Sequence, residues 1–308
     1  MANFIITRIL SAVIGLLGVM CLVFLLIHVI PGDPVEVMLG ESAQPADRET
    51  LRHVLGLDLP LHQQWWNYLK ALMHLDFGTS LFSHRPIVDL LLERIPATLY
   101  LSVVSLLVAI ALALPLGLLA AVRQHTPLDY GAMGFALFGM SIPNFWLGPL
   151  LIMVGALWLG WFPVSGQEGW QSVVLPALTL GTAMAAILAR MIRSSVLEVL
   201  GEDFMRTARA KGLSETRAVI LHALPNSLLP VLTLLGLQLG GLLGGAVITE
   251  TVFAWPGLGL LMIEAIQQRD YPVVQAAVLC ISLTYILVNL LTDLLYAWLD
   301  PRIQLKTG

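Results

Sequence analysis

Three lysines, seven histidines and two cysteines are the side chains in these 308 residues from which phosphate binding, metal ligation or thiol chemistry could be assembled. A phosphate-cradling loop needs Gly-x-x-x-x-Gly-Lys followed by Ser or Thr, so that backbone N–H groups and an ammonium converge on one anion. Lys70, Lys211 and Lys306 all lack that setting. The histidines are scattered, with no His-x-x-x-His pair and no cysteine at ligand spacing, and no Gly-x-Ser-x-Gly elbow presents a serine nucleophile. Cys21 and Cys280 lie inside apolar runs, where a thiol behaves as a small hydrophobe. The chain therefore reads as non-catalytic, with no metal and no cofactor of its own. Ion-coupled transport, the alternative class, would place ionisable groups deep inside apolar segments. Here Glu250 and Asp293 stand at the ends of such segments, and Asn289 and Asp293, four apart, share a helix face suited to pairing with a neighbouring arginine.

The elements that must carry these residues follow from composition. Hydrophobic residues make up 57% of the chain and charged residues 12%, about half the charge of a soluble domain. Mean hydropathy is +0.84 and the pI is near 5.9. With a net charge of -4 there is no basic stripe for nucleic acid. Uncharged runs at 9–30, 99–122, 131–162, 173–189, 228–249 and 273–292 are each long enough, at 1.5 Å per residue, to cross a hydrocarbon core of roughly 30 Å, the fourth with a few flanking residues. The expectation is an all-α polytopic membrane protein of six transmembrane helices. The first run ends in His28 and Pro-Gly-Asp-Pro without a small-residue cleavage site, so it reads as a retained helix. The third holds Pro143 and Pro149 and must kink, break or conceal a re-entrant turn.

Lysine and arginine counts orient the bundle. With the N-terminus cytosolic, ten of the sixteen fall on that side, which places the C-terminus there as well. The long outer segment, 31–96, contains Leu61, Trp65, Trp66, Tyr68, Leu69, Leu72 and Met73 behind Pro60, an amphipathic pattern that suits either a helix on the outer membrane surface or aromatics packed under a small cap. Gly240, Gly241, Gly244 and Gly245 form two overlapping Gly-x-x-x-Gly pairs, a helix contact face used either within this chain or against a second subunit.

The most informative segment is the cytosolic loop at about 201–225. Glu202 and Asp203 open, and Lys211 with Gly212 closes, a short helix of about ten residues, since acids favour the positive N-terminal end of the helix dipole and glycine favours the left-handed cap. Ser214 opens a second helix that runs to Leu224, where Pro225 stops it. A hairpin this long is more than a connector needs.

Here the chain resembles the inner-membrane permeases of binding-protein-dependent ATP-binding-cassette importers, in the dipeptide, oligopeptide and nickel group. The loop of that superfamily reads Glu-Ala-Ala-x3-Gly-x9-Ile-x-Leu-Pro. Ala208, Gly212, Leu224 and Pro225 fall on it, while Arg206, Thr207 and His222 replace its Glu, Ala and Ile. Further segments look like the same group in its order: Pro31-Gly-Asp-Pro34, Asp76-Phe-Gly-Thr-Ser80, Ile95-Pro-Ala-Thr-Leu99, Ser141-Ile-Pro-Asn-Phe145, Leu175-Pro-Ala-Leu-Thr179, Thr251-Val-Phe-Ala-Trp-Pro-Gly257, Arg269-Asp-Tyr-Pro272 and Asp300-Pro-Arg302.

The resemblance implies a type I importer transmembrane domain: residues 1–94 as a first helix with its periplasmic segment, 95–299 as the five-helix domain, and 300–308 as a cytosolic tail. It implies an inner-membrane location, a homologous second permease, two ATP-binding subunits carrying ATP and Mg, a periplasmic substrate-binding protein, and a peptide-like cargo such as a dipeptide, an oligopeptide, glutathione or a nickel chelate. Phe204, Ala208 and Gly212, at four-residue spacing with Met205 beside them, are the expected ATPase contact.

Overall fold

The computed structural model describes residues 2–29, 35, 44–54 and 56–299. The Pro31–Pro34 and Asp300–Arg302 motifs and the 300–308 tail lie outside the described residues. Twelve helices follow in order, with no strand among the described residues: α1 Ala2–Val29, α2 Pro45–Val54, α3 Leu61–Met73, α4 Ile87–Val122, α5 Pro127–Ser141, α6 Asn144–Leu151, α7 Val174–Leu200, α8 Asp203–Ala210, α9 Glu215–Ala218, α10 Leu224–Val252, α11 Leu258–Gln267 and α12 Tyr271–Leu299. Among the described residues, five segments are long and apolar enough to cross a membrane, and six if α5 and α6 together form one broken span.

That break has a local cause. Pro143 bars Ile142 from helical dihedrals, and Ile142 is extended at φ -88° and ψ 117°. The chain turns by 102° there, and α6 continues into a π-helical turn over Ile152–Trp158. Pro149, by contrast, is absorbed inside α6. The expected kink therefore falls at the first proline alone.

Two other helices are longer than the uncharged runs. α4 begins at Ile87 and carries Pro96 and Pro115 within it, so Asp89, Glu93 and Arg94 extend it beyond its apolar part. α10 begins at Leu224, and here the expectation is corrected: Pro225 does not stop a helix but sits in the first turn of one. A first-turn proline gives up an N–H that has no intrahelical partner anyway. The residues expected to form one helix up to Leu224 are a single turn, α9, followed by a π-helical turn over Val219–Ala223 that feeds directly into α10.

α7 is the axis of the bundle, with 72% of its most apolar window buried against at most 28% in the other spans. Lipid is as apolar as a leucine side chain, so contact between helices must come from close packing. Small residues provide it: Ala109, Ala113 and Ala121 of α4 meet Ala177, Ala185 and Ala189 of α7 in the main core. A Cβ on Gly117 would lie 2.8 Å from the Ala189 carbonyl oxygen, and one on Gly181 2.8 Å from that of Ser105, so both crossings require glycine. α12 packs on α1, where Arg8 and Asp293 pair at 3.2 Å, the arginine partnership expected for Asp293.

Candidate coupling site

The loop after α7 folds into a closed hairpin. Glu202 is extended at the N-cap position of α8, and Asp203 in the first turn pairs with Arg206 at 3.1 Å on the open surface, where such a pair contributes little. The C-terminal end is fixed more firmly. Gly212 has φ +84°, its N–H donates to the Arg209 carbonyl at 2.9 Å, and the Leu213 N–H reaches back to Ala208 at 3.3 Å. That is a Schellman termination, which satisfies carbonyls the helix would otherwise leave open. Arg209 closes the hairpin with two parallel bonds to Glu215, Nε to Oε2 at 2.9 Å and NH2 to Oε1 at 2.7 Å. This hydrogen-bonded carboxylate holds the guanidinium above its ordinary pKa. Ser214 occupies the N-cap of α9, but its hydroxyl makes no capping bond.

The hairpin has an inside and an outside. Met205 is fully buried against Ala218 and Ala223, with Val199, Leu200 and Leu213 around them, and Ala208 is also covered. Phe204 is 41% exposed, and Gly212 is exposed with nothing within 4 Å of where its Cβ would lie. Leu224 is half-buried and Pro225 exposed. Of the expected contact set, then, Phe204, Gly212 and Pro225 are open, while Met205 faces this chain's own small core and Ala208 is covered. Thr207 and Lys211 complete the exposed stripe with Phe204, at helical spacings of three and four. Sequence reasoning passed over them, although the pairing of Met205 with Ala208 as an inward stripe would have placed them outside.

The hairpin joins the bundle through α7, and α7 is clamped to α5 by an ion pair whose carboxylate is buried. Arg193 meets Asp129 in bidentate fashion at 2.6 and 2.7 Å, and the His125 N–H donates to the same carboxylate at 3.0 Å. Asp129 is 1% exposed, so three donors replace the water it has lost.

At the opposite end of the bundle, segments singled out in the sequence turn out to be partners. Glu250, fully buried, accepts from the Thr98 hydroxyl at 2.7 Å and from the N–H groups of Gly259 and Leu260 at 2.7 and 3.1 Å, so it caps the start of α11. Thr98 in turn accepts from the Leu258 N–H at 2.8 Å, and the Trp255 indole donates to the Ala97 carbonyl at 2.9 Å. A side chain on Gly257 would collide with the Glu250 carboxylate. Likewise Ser80 donates to Asp270 at 2.6 Å across 190 positions of sequence. The four glycines of the expected contact face in α10 divide: Gly240 lies against the Tyr285 ring of α12, a Cβ there coming within 2.6 Å, whereas Gly241 and Gly244 face open space, and Gly245 follows in the same helix.

Residues 113–305 match the family described as binding-protein-dependent transport system inner membrane component, and residues 1–102 match its N-terminal membrane component. The glutathione transport system permease protein GsiC of Escherichia coli (strain K12) is 46% identical over 306 residues, covering 99% of this chain and all of the relative. That of Salmonella typhi is 45% identical over the same span. Among solved structures, an inward-facing form of the MetNI methionine ABC transporter superposes with a TM-score of 0.60 at 20% identity, covering 68% of this chain and 96% of that one, a likeness of fold.

Proposed function

We propose, from the premise that this chain belongs to the inner membrane components of binding-protein-dependent transport systems, that its cargo is glutathione or a peptide of similar size. As a member of that family it is a non-catalytic permease subunit of an ATP-binding-cassette importer, located in the inner membrane. The cargo reading is supported by full-length relatives named for glutathione transport.

The observation that carries the mechanism is the closed hairpin at the end of α7. Its helix is held at one end by a left-handed glycine cap and beneath by Met205, so a force on its outer stripe is passed to α7 and α10 rather than absorbed by a floppy loop. Of two ATP-binding subunits, carrying ATP and Mg, one docks on the outer stripe around Phe204, Thr207 and Lys211. Their closure on nucleotide tilts the bundle, and a homologous second permease supplies the other half of the path. A substrate-binding protein delivers cargo at the far end. In this arrangement the N-terminus and the hairpin both face the cytosol.

The test is uptake of labelled glutathione into vesicles holding the assembled importer, with ATP supplied and ion gradients collapsed by ionophores. Uptake that needs ATP and the liganded binding protein is the expected result. Uptake that persists without ATP and vanishes with the ionophores would overturn the reading in favour of an ion-coupled transporter. Competition by dipeptides then measures how narrow the cargo class is.

A further inference from the structure

α7 carries two arginines one turn apart, and only one of them is matched. Arg193 is spent on Asp129 through both arms of its guanidinium. Arg190, which directly follows the uncharged run 173–189, is exposed and has no carboxylate partner among the described residues. Its side chain reaches the Met140 sulfur, NH2 to Sδ at 3.4 Å. A thioether is a weak acceptor on a flexible stem, so that contact is readily exchanged for a better one. Arg190 lies on the less covered face of α7, with Ala183 and Ile187 before it and Ser194 after it at spacings of four and three.

The side chain points away from the hairpin, into the depth of the bundle. Met140 stands at the far end of α5 from Asp129, about three turns or roughly 16 Å of helix further from the hairpin. Its neighbour Gly139 lies beside Thr182, about two turns up α7 from Arg190, where an added Cβ would be 3.8 Å from the Thr182 carbonyl oxygen. An arginine facing lipid reaches the other way, toward the nearer headgroups. A charge held at this depth calls for an anion or a water-filled space. The uncharged runs of this chain hold no Asp or Glu, so a homologous second permease of the same pattern offers none there. On the reading that the cargo is glutathione or a small peptide, the passing molecule brings a carboxylate, the group a guanidinium fork fits best. We propose that Arg190 receives the carboxylate of the cargo in this half of the path, giving up Met140 to do so. The inference rests on that cargo reading, and it makes Arg190 a specificity-determining residue for acidic cargo.

The test uses the assembled importer in vesicles, with ATP, the loaded binding protein and labelled glutathione. Two quantities are followed together: uptake, and the ATP hydrolysis that the loaded binding protein stimulates. Arg190→Gln should lower uptake about tenfold, the loss of one charge-assisted contact, while stimulated hydrolysis persists. Arg190→Lys, which keeps the charge, should retain more uptake than Arg190→Gln. Met140→Glu supplies a carboxylate from within the chain and should silence uptake by occupying Arg190, whereas the neutral Met140→Gln should transport better than Met140→Glu. Undiminished uptake by Arg190→Gln would overturn the proposal. So would a joint loss of uptake and stimulated hydrolysis, the mark of a structural role, or a failure to copurify the second permease, which would assign the anion to that subunit. If Arg190→Gln does not insert, the two Met140 variants decide, and equal uptake by them overturns the proposal. No glutathione uptake by the unaltered importer would overturn the cargo reading itself, and this inference with it.

Discussion

Phe204 and Met205 are neighbours in sequence, but one faces solvent and the other the hairpin's core, and the difference sets what each substitution should do. Met205→Ala removes the side chain that roots α8, a loss of about 2–5 kcal/mol of local packing for a buried methionine, so the loop should become accessible to protease while the permease remains in the membrane. Limited proteolysis around Arg206 and Arg209 measures it, and an uncut loop would contradict the rooting role. Gly212→Val acts differently. No atom obstructs the new side chain, but φ +84° is a left-handed conformation that costs an ordinary residue about 1–2 kcal/mol, and more for a β-branched one. Transport should fall with membrane levels unchanged, and Gly212→Asn should retain most of it, because asparagine tolerates that region. Normal transport by the valine variant would show that the cap does not carry coupling. At the far end, Thr98→Val keeps the shape but removes the hydroxyl that joins Glu250 to the α11 backbone, leaving buried polar groups unmet at about 1–3 kcal/mol. A lower thermal midpoint in detergent is the expected reading, and an unchanged one would mean the knot is not needed for stability.

Between elements, the arrangement that matters is how α5 and α8 are both fixed to α7. The α5–α7 clamp is a buried carboxylate with two guanidinium bonds and one backbone bond, so removing one partner leaves the other charge uncompensated. Asp129→Asn should destabilise the bundle by about 1–3 kcal/mol, since Arg193 is 26% exposed and still reaches water, and the double change Asp129→Leu with Arg193→Met should recover most of it. Thermal unfolding of the three variants checks the ordering, and a double variant no better than the single would refute it. The hairpin is held differently, by the Gly212 cap and by the π-helical turn that merges α9 into α10 without a flexible joint, with the Arg209–Glu215 fork on its exposed surface.

For the whole molecule, the question is which way the bundle points. Ten of sixteen basic residues fall on the side of the hairpin when the N-terminus is cytosolic, and the structure places Arg8 against Asp293 near that same end. Reporter fusions at Gly212 and Gly308 should therefore give a cytosolic signal, and one at Ala46 an exported signal. An exported signal at Gly212 would reverse the bundle and remove the hairpin from reach of any ATP-binding subunit.

Composition and period were enough to determine the class of this protein. Apolar runs of about 20 residues admit a bundle of membrane helices, and Pro143 with Pro149 marked the run that breaks, although only the fold places the break at Pro143. The cap of the hairpin's first helix was legible too, because Gly212 at the end of a short acidic-to-basic helix signals a left-handed turn. Those are local effects, decided by a few adjacent residues. What sequence could not decide was everything that depends on which faces meet. Pro225 reads as a stop, yet the π-helical turn before it delivers the chain already helical, and the same residue becomes a beginning. Met205 and Phe204 cannot be told apart until the α9 turn covers one of them. Gly240 and Gly241 are alike in sequence, but the Tyr285 ring, forty-five positions away, lies over only the first. Thr98 with Glu250, and Ser80 with Asp270, are ordinary polar residues until α10, α11 and α12 fold back and close each pair out of reach of water. Periodicity reports how a segment is divided between apolar and polar faces, but only tertiary packing says which neighbour each face receives.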